Sequence, residues 1–524
     1  MTQLENFDNF NSNGEKVYPA EANGHVLEPP VHKFRQALPQ FLAVGAKNLL
    51  LLTFGTSLGF STILIPVLRN NEDIIEVTKE ELTWISSLNL FLVPIGCLVS
   101  GPISQTFGRK RTMMMATIPF ILAWILFYYA NNSTMLFVSL AITGLTGGLL
   151  EAPVMTYVAE ITQPKYRGML SATSTMSVIL GVFIQMLTGS FVSWRTTALI
   201  NILYPVLCFC ALCFVPESPY WLANKGRMAD AESSLCWLRG WTKPVFVKEE
   251  FQQISELVKS VKANININSK LKGLQHYHNK NFYVPFILVA ITFFVSTFNG
   301  SSTLQTYSVE IFEGLHAPID KYTATAFLGL TEFIACVVCS FVIHFTGKRK
   351  LTFFSVGGTF FCFLFAAIYG YLIKNNQIDT SDYTWLPTTL MIGSAFFSHV
   401  GIRLIPWVLS GEVFSSQVRG TATGIAGSLF YIFGFIANKI YDYMVDTLTL
   451  PGTFLCNACV NFGGVIVLYF ILPETEGRTL KEIEEHYSGI QKLKHRPKKE
   501  KLASKEKWAA TNPTPINDDI ESKI

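Results

Sequence analysis

The hydrophobic and polar positions divide the chain into long apolar runs separated by short polar loops. A helix needs about 20 apolar residues to cross the hydrocarbon core of a lipid bilayer, and twelve runs are long enough. In the first half of the chain they are roughly 41–66, 84–104, 113–131, 135–159, 169–192 and 197–215. In the second half they are roughly 284–307, 323–345, 351–373, 386–410, 421–443 and 453–472. The pattern predicts an all-α membrane protein with twelve transmembrane helices.

The domain organisation follows from the same pattern. We expect two six-helix bundles, formed by residues 41–215 and 281–472. Residues 216–280 between them are polar and charged, and we predict a cytoplasmic linker domain of short amphipathic helices. The composition of residues 1–40 favours a disordered cytoplasmic N-terminus, and residues 473–524 form a polar cytoplasmic tail.

Three motifs occur once in each half of the chain, in the same order. The longest of them holds a Glu, an Arg seven positions later, and then a Gly. The pairs are Gly108–Arg111 with Gly347–Lys350, Glu160–Gly168 with Glu412–Gly420, and Pro216–Pro219 with Pro473–Glu476. A parallel repeat of this kind across apolar runs is typical of a membrane transporter that is built from two related halves.

Basic residues concentrate in alternate loops. They lie in the loops after the second, fourth, eighth and tenth runs, whereas the loops after the first, third and seventh runs are poor in Lys and Arg. Because Lys-rich and Arg-rich loops remain in the cytoplasm, we expect both termini to be cytoplasmic, at the plasma membrane. Asn131 and Asn132, in the loop after the third run, each begin an N-glycosylation sequence that would face outward.

Composition narrows the class of function. Half of the 524 residues are hydrophobic, 15% are charged, and the net charge is +4, whereas about a quarter of the residues in soluble domains are charged. This small net charge, without a basic patch, argues against nucleic-acid binding. No nucleotide-binding loop, catalytic triad or metal-ligand spacing stands out, so we expect no enzyme activity, cofactor or metal. The ten cysteines lie mostly in apolar runs, where we expect packing rather than disulfides.

The repeated Glu and Arg residues lie at the predicted cytoplasmic ends of the fourth and tenth runs. If a rotation relates the two halves, Glu160 can meet Arg419, and Glu412 can meet Arg167. Such ion pairs would close the cytoplasmic face and separate when the halves move apart. We therefore predict a cytoplasmic gate that is formed by these four residues and Arg109. The alternative is that they are unrelated charges at helix ends.

These motifs, together with Ile405-Pro-Trp407, resemble the signatures of the sugar porter family of the major facilitator superfamily, and in particular those of insect facilitated trehalose and glucose transporters. The resemblance extends from about residue 40 to residue 487. It implies two six-helix bundles around a central cavity that opens alternately to the two sides of the membrane. It also implies that the partner is a small polar solute, most simply trehalose or a hexose.

The chain departs from the family pattern where that family binds sugar. The seventh run reads Ser296-Thr-Phe-Asn-Gly-Ser-Ser302, with short hydroxyls in place of the family's long amides. Thr175 and Glu332 stand at the positions of a family Gln and Asn, and His399 replaces a family Glu. In the loop after the second run, Gln105 replaces an Asp.

Arg403 is the most unusual of the candidate residues. A charged side chain in the middle of a membrane span costs roughly 2.5–3.5 kcal/mol, so it should face the cavity and approach an acid. We predict a pair with Glu332, in or beside the cavity, with Glu151 as the other available acid; the alternative is a helix–helix salt bridge away from the solute. The candidate solute-binding residues are Thr175, Gln185, Ser296, Thr297, Ser302, Gln305, Glu332, His399, Arg403 and Trp407.

Energy coupling can also be predicted from the resemblance. Proton-coupled relatives carry an Asp in the first run and an Arg in the fourth, at the positions of Ser57 and Leu140. Their absence favours a facilitative uniporter. Glu151, Glu332 and His399 can titrate near neutrality, so a proton-coupled carrier of a non-sugar solute stays open as an alternative. A non-transporting sugar sensor with the same fold is the other alternative.

Overall fold

The structure is a computed structural model, and it describes residues 33–267, 280–375, 385–414, 419–478 and 480–487. The predictions for the first 32 residues and for the tail after residue 487 lie outside the described residues. The described residues form helices joined by short loops, with no strand among them.

The first half and the linker contain helices α1 to α12. Those of the first half are α1 (Lys33–Arg69), α2 (Lys79–Ile85), α3 (Leu88–Phe107), α4 (Arg109–Tyr128), α5 (Ser133–Leu149), α6 (Glu151–Ile161), α7 (Pro164–Gly189), α8 (Trp194–Asn201) and α9 (Leu203–Phe214). Those of the linker are α10 (Pro219–Asn224), α11 (Met228–Leu238) and α12 (Lys248–Ile267), with a 3-10 turn at Pro244–Val247.

The second half contains helices α13 to α21. They are α13 (Lys280–Phe298), α14 (Ser301–Thr306), α15 (Ser308–Gly314), α16 (Lys321–Thr346), α17 (Lys348–Lys374), α18 (Trp385–Val400), α19 (Ile405–Val413), α20 (Arg419–Ile471) and α21 (Leu480–Tyr487).

These helices supply twelve membrane spans. Ten segments are long and apolar enough to cross a membrane by length and composition. One of them, Ala422–Ile471, contains two spans, because α20 turns at Thr449, whose φ of 67° is not helical. The shorter apolar helix Phe282–Phe298 continues past Gly300, which has a φ of 95°, into α14 and supplies the seventh span. The twelve-helix fold that the apolar pattern predicts is confirmed.

The two halves pack by the same scheme. In the first half, α1 packs along α7, and α3 packs along α5. In the second half, α13 packs along α20, and α16 packs along α18, and these are the corresponding helices of the repeat. The halves contact each other through α7 with α16 and through α3 with α20. The fold is therefore two similar bundles with one interface between them.

The first copies of the three repeated motifs meet in one charged cluster, which we call the N cluster. Gly108 joins α3 to α4 with a φ of 103°. Oε1 of Glu217 accepts hydrogen bonds from the backbone nitrogens of Arg109 and Lys110, both at 3.0 Å. Arg109 donates from its guanidinium to both carboxylate oxygens of Glu160, at 3.1 and 2.9 Å. The carboxylate of Glu217 thus pairs N–H groups that a helix start otherwise leaves without a partner.

The second copies form an equivalent cluster, the C cluster. Gly347 joins α16 to α17 with a φ of 85°. Oε1 of Glu474 accepts a hydrogen bond from the backbone nitrogen of Lys348 at 3.1 Å. Nζ of Lys348 lies 2.7 and 2.9 Å from the two carboxylate oxygens of Glu412. The sequence repeat is therefore a repeat of contacts, and we call the end of the bundle that holds both clusters the basic end.

Glu476 binds the segment after the last span to the C cluster. Its carboxylate lies 3.1 Å from Nζ of Lys348 and 3.0 Å from Nδ1 of His344. Burial raises the pKa of Glu476, but the hydrogen bond with His344 and the charge of Lys348 outweigh this, so the pKa lies below its ordinary value. The carboxylate therefore stays ionised at neutral pH.

The linker helices dock on the first bundle. Nε1 of Trp221 donates to the main-chain oxygen of Gln105 at 2.9 Å. Arg239 donates to the main-chain oxygen of Ile161 at 3.1 Å and pairs with Glu250. The main-chain carbonyl of Gln105 thus takes part in this contact. These contacts attach the linker helices, which also have a hydrophobic cluster of their own, to the first bundle.

Gly108→Ala should destabilise the protein. A Cβ at this position would lie 2.4 Å from Oε2 of Glu217, and residues other than glycine rarely adopt this backbone conformation. We expect a loss of about 1–3 kcal/mol of stability, measured as a lower midpoint of thermal unfolding in detergent. Gly101→Ala, inside α3 with open space around the added Cβ, is the matched control. Equal midpoints for the two variants would contradict a requirement for glycine in the N cluster.

Candidate functional site

Charged contacts join the two halves at the end of the bundle that lies away from the basic end, which we call the opposite end. Arg69, at the end of α1, lies between two acids of the second half. Its Nε is 2.9 Å from Oε1 of Glu310, and its Nη2 is 2.8 Å from Oδ1 of Asp442. The side chains of these acids are only 15% and 3% exposed. Loss of the arginine would therefore leave two buried charges without their cation, which is strongly unfavourable.

Neutral hydrogen bonds and a cation–π contact extend this closure. Tyr307 donates its hydroxyl to Oγ of Ser86 at 2.8 Å, and Nδ2 of Asn438 donates to the main-chain oxygen of Ser86 at 3.2 Å. Nζ of Lys439 lies 4.0 Å from the centre of the Trp84 ring. We call these contacts, together with those of Arg69, the seal. The seal closes the interface between the halves at the opposite end.

The charged residues at the basic end are arranged differently. Glu160 and Glu412 are held by the N and C clusters, so each pairs within its own half. Arg167 is exposed and donates to the main-chain oxygen of Thr162 at 3.2 Å. The side chain of Arg419 lies outside the described residues. Glu412 and Arg167 are thus not paired across the halves in this conformation, in which the seal is closed.

A cavity lies between the halves, on the basic-end side of the seal. Its volume is about 940 Å³, which includes the part that is open to solvent. The first half lines it from α1, α6 and α7, with Phe54, Glu151 and Thr175 among the lining residues. The second half contributes Arg403 and Trp407. Both bundles therefore form the wall of one site.

Arg403 lies in the break between α18 and α19. Its Nη1 donates to Oγ of Ser302 at 2.8 Å, and its guanidinium carbon lies 4.9 Å from the centre of the Phe430 ring. Glu332 is buried and accepts a hydrogen bond from Nε2 of Gln305 at 2.8 Å. The direct Arg403–Glu332 pair predicted from the sequence is not formed in this conformation. Gln305 binds Oε2 of the acid, and a hydroxyl and an aromatic face bind the guanidinium instead.

His399 connects the cavity wall to Glu332. Its Nδ1 lies 3.0 Å from the main-chain oxygen of Ala395, a contact that places a proton on Nδ1. The same nitrogen is 4.0 Å from Oε1 of Glu332. Both side chains are almost fully buried. The result is a compact polar group behind Arg403, made of an acid, an amide and an imidazole.

The ten residues predicted from the sequence as solute contacts fall into three groups. Those that line the cavity are Thr175, Gln305, His399, Arg403 and Trp407. Those that hydrogen-bond to a lining residue from behind are Ser302 and Glu332. Those that are fully buried elsewhere in the bundles are Gln185, Ser296 and Thr297. Gln185, for example, accepts a hydrogen bond from Asn201 within the first half at 2.8 Å.

Two charged residues near the cavity were not among the solute contacts predicted from the sequence. Glu151 lines the cavity from the start of α6. Lys47 of α1 is fully buried, and its ammonium contacts Oγ of Ser174, which also lines the cavity. In the sequence, the signal for both was an ionisable residue inside an apolar run.

Within the described ranges, no group of three or more His, Cys, Asp or Glu residues is placed to hold a metal ion.

The sequence matches a family model over most of its length. Residues 42–487 match the family described as Sugar (and other) transporter. The facilitated trehalose transporter Tret1 of Bombyx mori is 29% identical over 446 residues, which cover 85% of this chain and 86% of that protein. The Tret1 of Apis mellifera ligustica is 27% identical over 487 residues, which cover 91% of this chain and 94% of that protein.

Solved structures of a bacterial transporter are similar in fold. The major facilitator superfamily proton:xylose symporter XylE, bound to 6-bromo-6-deoxy-D-glucose, matches with a TM-score of 0.65 at 18% identity, over 86% of this chain and all of that one. The partially occluded inward open conformation of XylE from E. coli matches with a TM-score of 0.68 at 17% identity, over 84% of this chain and 99% of that one.

Arg69→Gln should loosen the seal. The substitution leaves Glu310 and Asp442 buried without their cation, and we expect the seal to open about tenfold more often, or ~1.4 kcal/mol. The measurement is the rate at which a water-soluble maleimide labels Ser86→Cys in detergent, followed by mass spectrometry of the labelled peptide. The matched control is Lys321→Gln, since that residue pairs with Glu313 inside the second half. Labelling no faster than in this control would show that Arg69 does not hold the seal.

Proposed function

Since the chain belongs to the sugar (and other) transporter family and has the fold of the major facilitator superfamily, we propose that it carries a sugar, trehalose or a hexose, across the membrane by alternating access. The observation that carries the proposal is one cavity lined by both halves, with the seal on one side of it and separately paired charges on the other. A solute in such a cavity touches both bundles, so their relative movement decides which side it faces.

The proposed cycle exchanges one set of contacts for another. Opening toward the opposite end requires Arg69 to leave Glu310 and Asp442. Closure of the basic end brings the bundles together there, where Glu412 can approach Arg167, and Glu160 can approach Arg419. The N and C clusters already hold both acids in place, so the gate residues predicted from the sequence remain candidates for this closure.

The cavity offers the mixture of donors and acceptors that a neutral polyol needs. The carboxylate of Glu151 accepts hydrogen bonds, Arg403 only donates, and the hydroxyl of Thr175 does both. Trp407 supplies an apolar face beside them. A ring with hydroxyls on its edge and C–H groups on its faces matches this arrangement.

We infer facilitative uniport from two positions in the first bundle. Ser57 is buried and donates to the main-chain oxygen of Phe54 at 2.7 Å, and Leu140 packs in the apolar core. Neither side chain can exchange a proton with the solution. The competing candidate is proton-coupled transport through the buried pair of Glu332 and His399, whose closest atoms are 4.0 Å apart.

We place the basic end at the cytoplasmic side of the plasma membrane, with both termini in the cytoplasm. The support is the concentration of Lys and Arg in the loops at this end, such as Arg109–Arg111 and Lys348–Lys350. With this orientation, the seal lies on the outer side, and the described conformation faces the cytoplasm. Asn131 and Asn132 then lie outside, where Asn132 also caps α5 through Met135.

Proteoliposomes that contain the purified protein should take up radiolabelled D-trehalose or D-glucose faster than protein-free liposomes. The initial rate should not change when a protonophore collapses an imposed pH gradient, because uniport depends only on the sugar gradient. Uptake equal to that of protein-free liposomes for both sugars would contradict sugar transport. A rate that falls with the gradient would instead support proton coupling.

Arg403→Gln should lower sugar uptake about tenfold or more, because hydrogen bonds to a charged group contribute about 1.5–3 kcal/mol. Gln is shorter and cannot reach both Ser302 and a solute. The control is Arg227→Gln, which removes a partly exposed guanidinium from the linker, where it pairs with Asp230. Unchanged uptake and unchanged selectivity among sugars in Arg403→Gln would contradict a place for this residue in the solute site.

A further inference from the structure

The carboxylate of Glu151 has no protein partner in the cavity. Among the described residues, it makes no hydrogen bond and no ion pair within 4.0 Å, and its side chain is partly exposed to the cavity. An acid inside a membrane span is costly and usually pairs with a cation or faces water. Glu151 therefore presents an unpaired acceptor directly to a bound solute.

The cations near the cavity do not neutralise this acid by contact. Arg403 lies on the other half, where it binds Ser302 and the Phe430 ring. Lys47 is on the same half as Glu151, but its side chain is fully buried, and its ammonium contacts Ser174. A solute in the cavity thus meets the carboxylate of Glu151, whereas it does not meet the ammonium of Lys47.

Glu332, the acid of the second half, lies behind the cavity wall rather than in it. It is almost fully buried, and its Oε2 accepts a hydrogen bond from Gln305 at 2.8 Å. A solute in the cavity therefore does not contact Glu332 directly. The acid among the residues that line the cavity is Glu151.

Aromatic rings from both halves also line the cavity. The centre of the Tyr431 ring is 6.4 Å from that of Phe54 and 6.2 Å from that of Trp407, and all three residues line the cavity. Aromatic faces attract cations, most strongly when water is excluded. The guanidinium of Arg403 over Phe430 is one such contact in the same group of rings. A cavity that is lined by an unpaired carboxylate and by aromatic rings has the chemistry that recognises an organic ammonium group.

We propose that the cavity takes a polyhydroxylated solute that carries a protonated amine, an amino sugar in chemical class, with the ammonium at Glu151 and the hydroxyls toward Arg403, Gln305 and Thr175. This inference rests on the proposed transport through the same cavity and specifies its substrate class. Neutral sugars enter the same site but lack the charged contact with Glu151.

The test compares D-glucosamine with D-glucose, which differ by one ammonium group in place of a hydroxyl. Uptake into proteoliposomes is measured at neutral pH, where most of the amine is protonated and acidification does not neutralise the carboxylate. We expect a preference for D-glucosamine of about tenfold, the size of one charge-assisted contact. Glu151→Gln keeps the shape of the side chain and should remove the preference. The readout is the ratio of the two uptake rates. A general loss of activity or of folded protein lowers both rates equally and leaves this ratio unchanged.

The matched control is Glu249→Gln, which removes an exposed acid from the linker and should keep the preference. Equal rates for the two solutes in the wild type would overturn the inference while leaving sugar transport in place. A preference that persists in Glu151→Gln would overturn it as well.

A binding measurement separates this inference from the proposed function. If neither solute is transported, the proposed function fails. The shift of the thermal unfolding midpoint that each solute causes then shows whether the cavity binds the amine at Glu151. Stabilisation by D-glucosamine that exceeds that by D-glucose, and that disappears in Glu151→Gln, supports the site. Equal shifts, or none, overturn it.

Discussion

The carboxylates of Glu217 and Glu474 each lie against the first turn of a helix that begins directly after a glycine with positive φ. Each one ties the loop after the second span of its half to the chain after the sixth span. Arg109 and Lys348 then extend this contact to the fourth span through Glu160 and Glu412. Each bundle is thereby fastened at the basic end, so a change of shape is easiest at the interface between bundles.

That interface is held unevenly. At the opposite end, cations of one half pair with acids of the other. Separation of a buried ion pair is strongly unfavourable, because it leaves a buried charge without its partner. At the basic end, the gate acids are satisfied within their own bundle. The cavity therefore lies between a closed end and a less tightly bound one, as one state of an alternating-access cycle requires. Its polar residues come from both halves, which couples the solute to the movement.

Much of the fold could be predicted from the sequence, because apolar run length and repeated motifs are local signals. The pairing of charges could not, since it depends on which side chains the packing brings together. Arg403 binds Ser302 and the Phe430 ring, whereas Glu332 binds Gln305. Gln185 has the polarity of a solute contact, yet it is buried within the first half. Only the placement of the helix start shows that Glu151 faces the cavity.

The most direct test of the account is the distance between the bundles at both ends of one protein. Two double variants carry the spin labels, one at Glu76 and Thr447 at the opposite end and the other at Thr106 and Thr346 at the basic end. In both, the exposed cysteines Cys210, Cys213 and Cys459 are changed to Ser. Pulsed electron–electron double resonance in nanodiscs then gives the distribution of distances between the bundles at each end. With sugar added, the account predicts a second population, longer at the opposite end and shorter at the basic end. Distances that stay single, or that lengthen together, would contradict alternating access by two rigid halves.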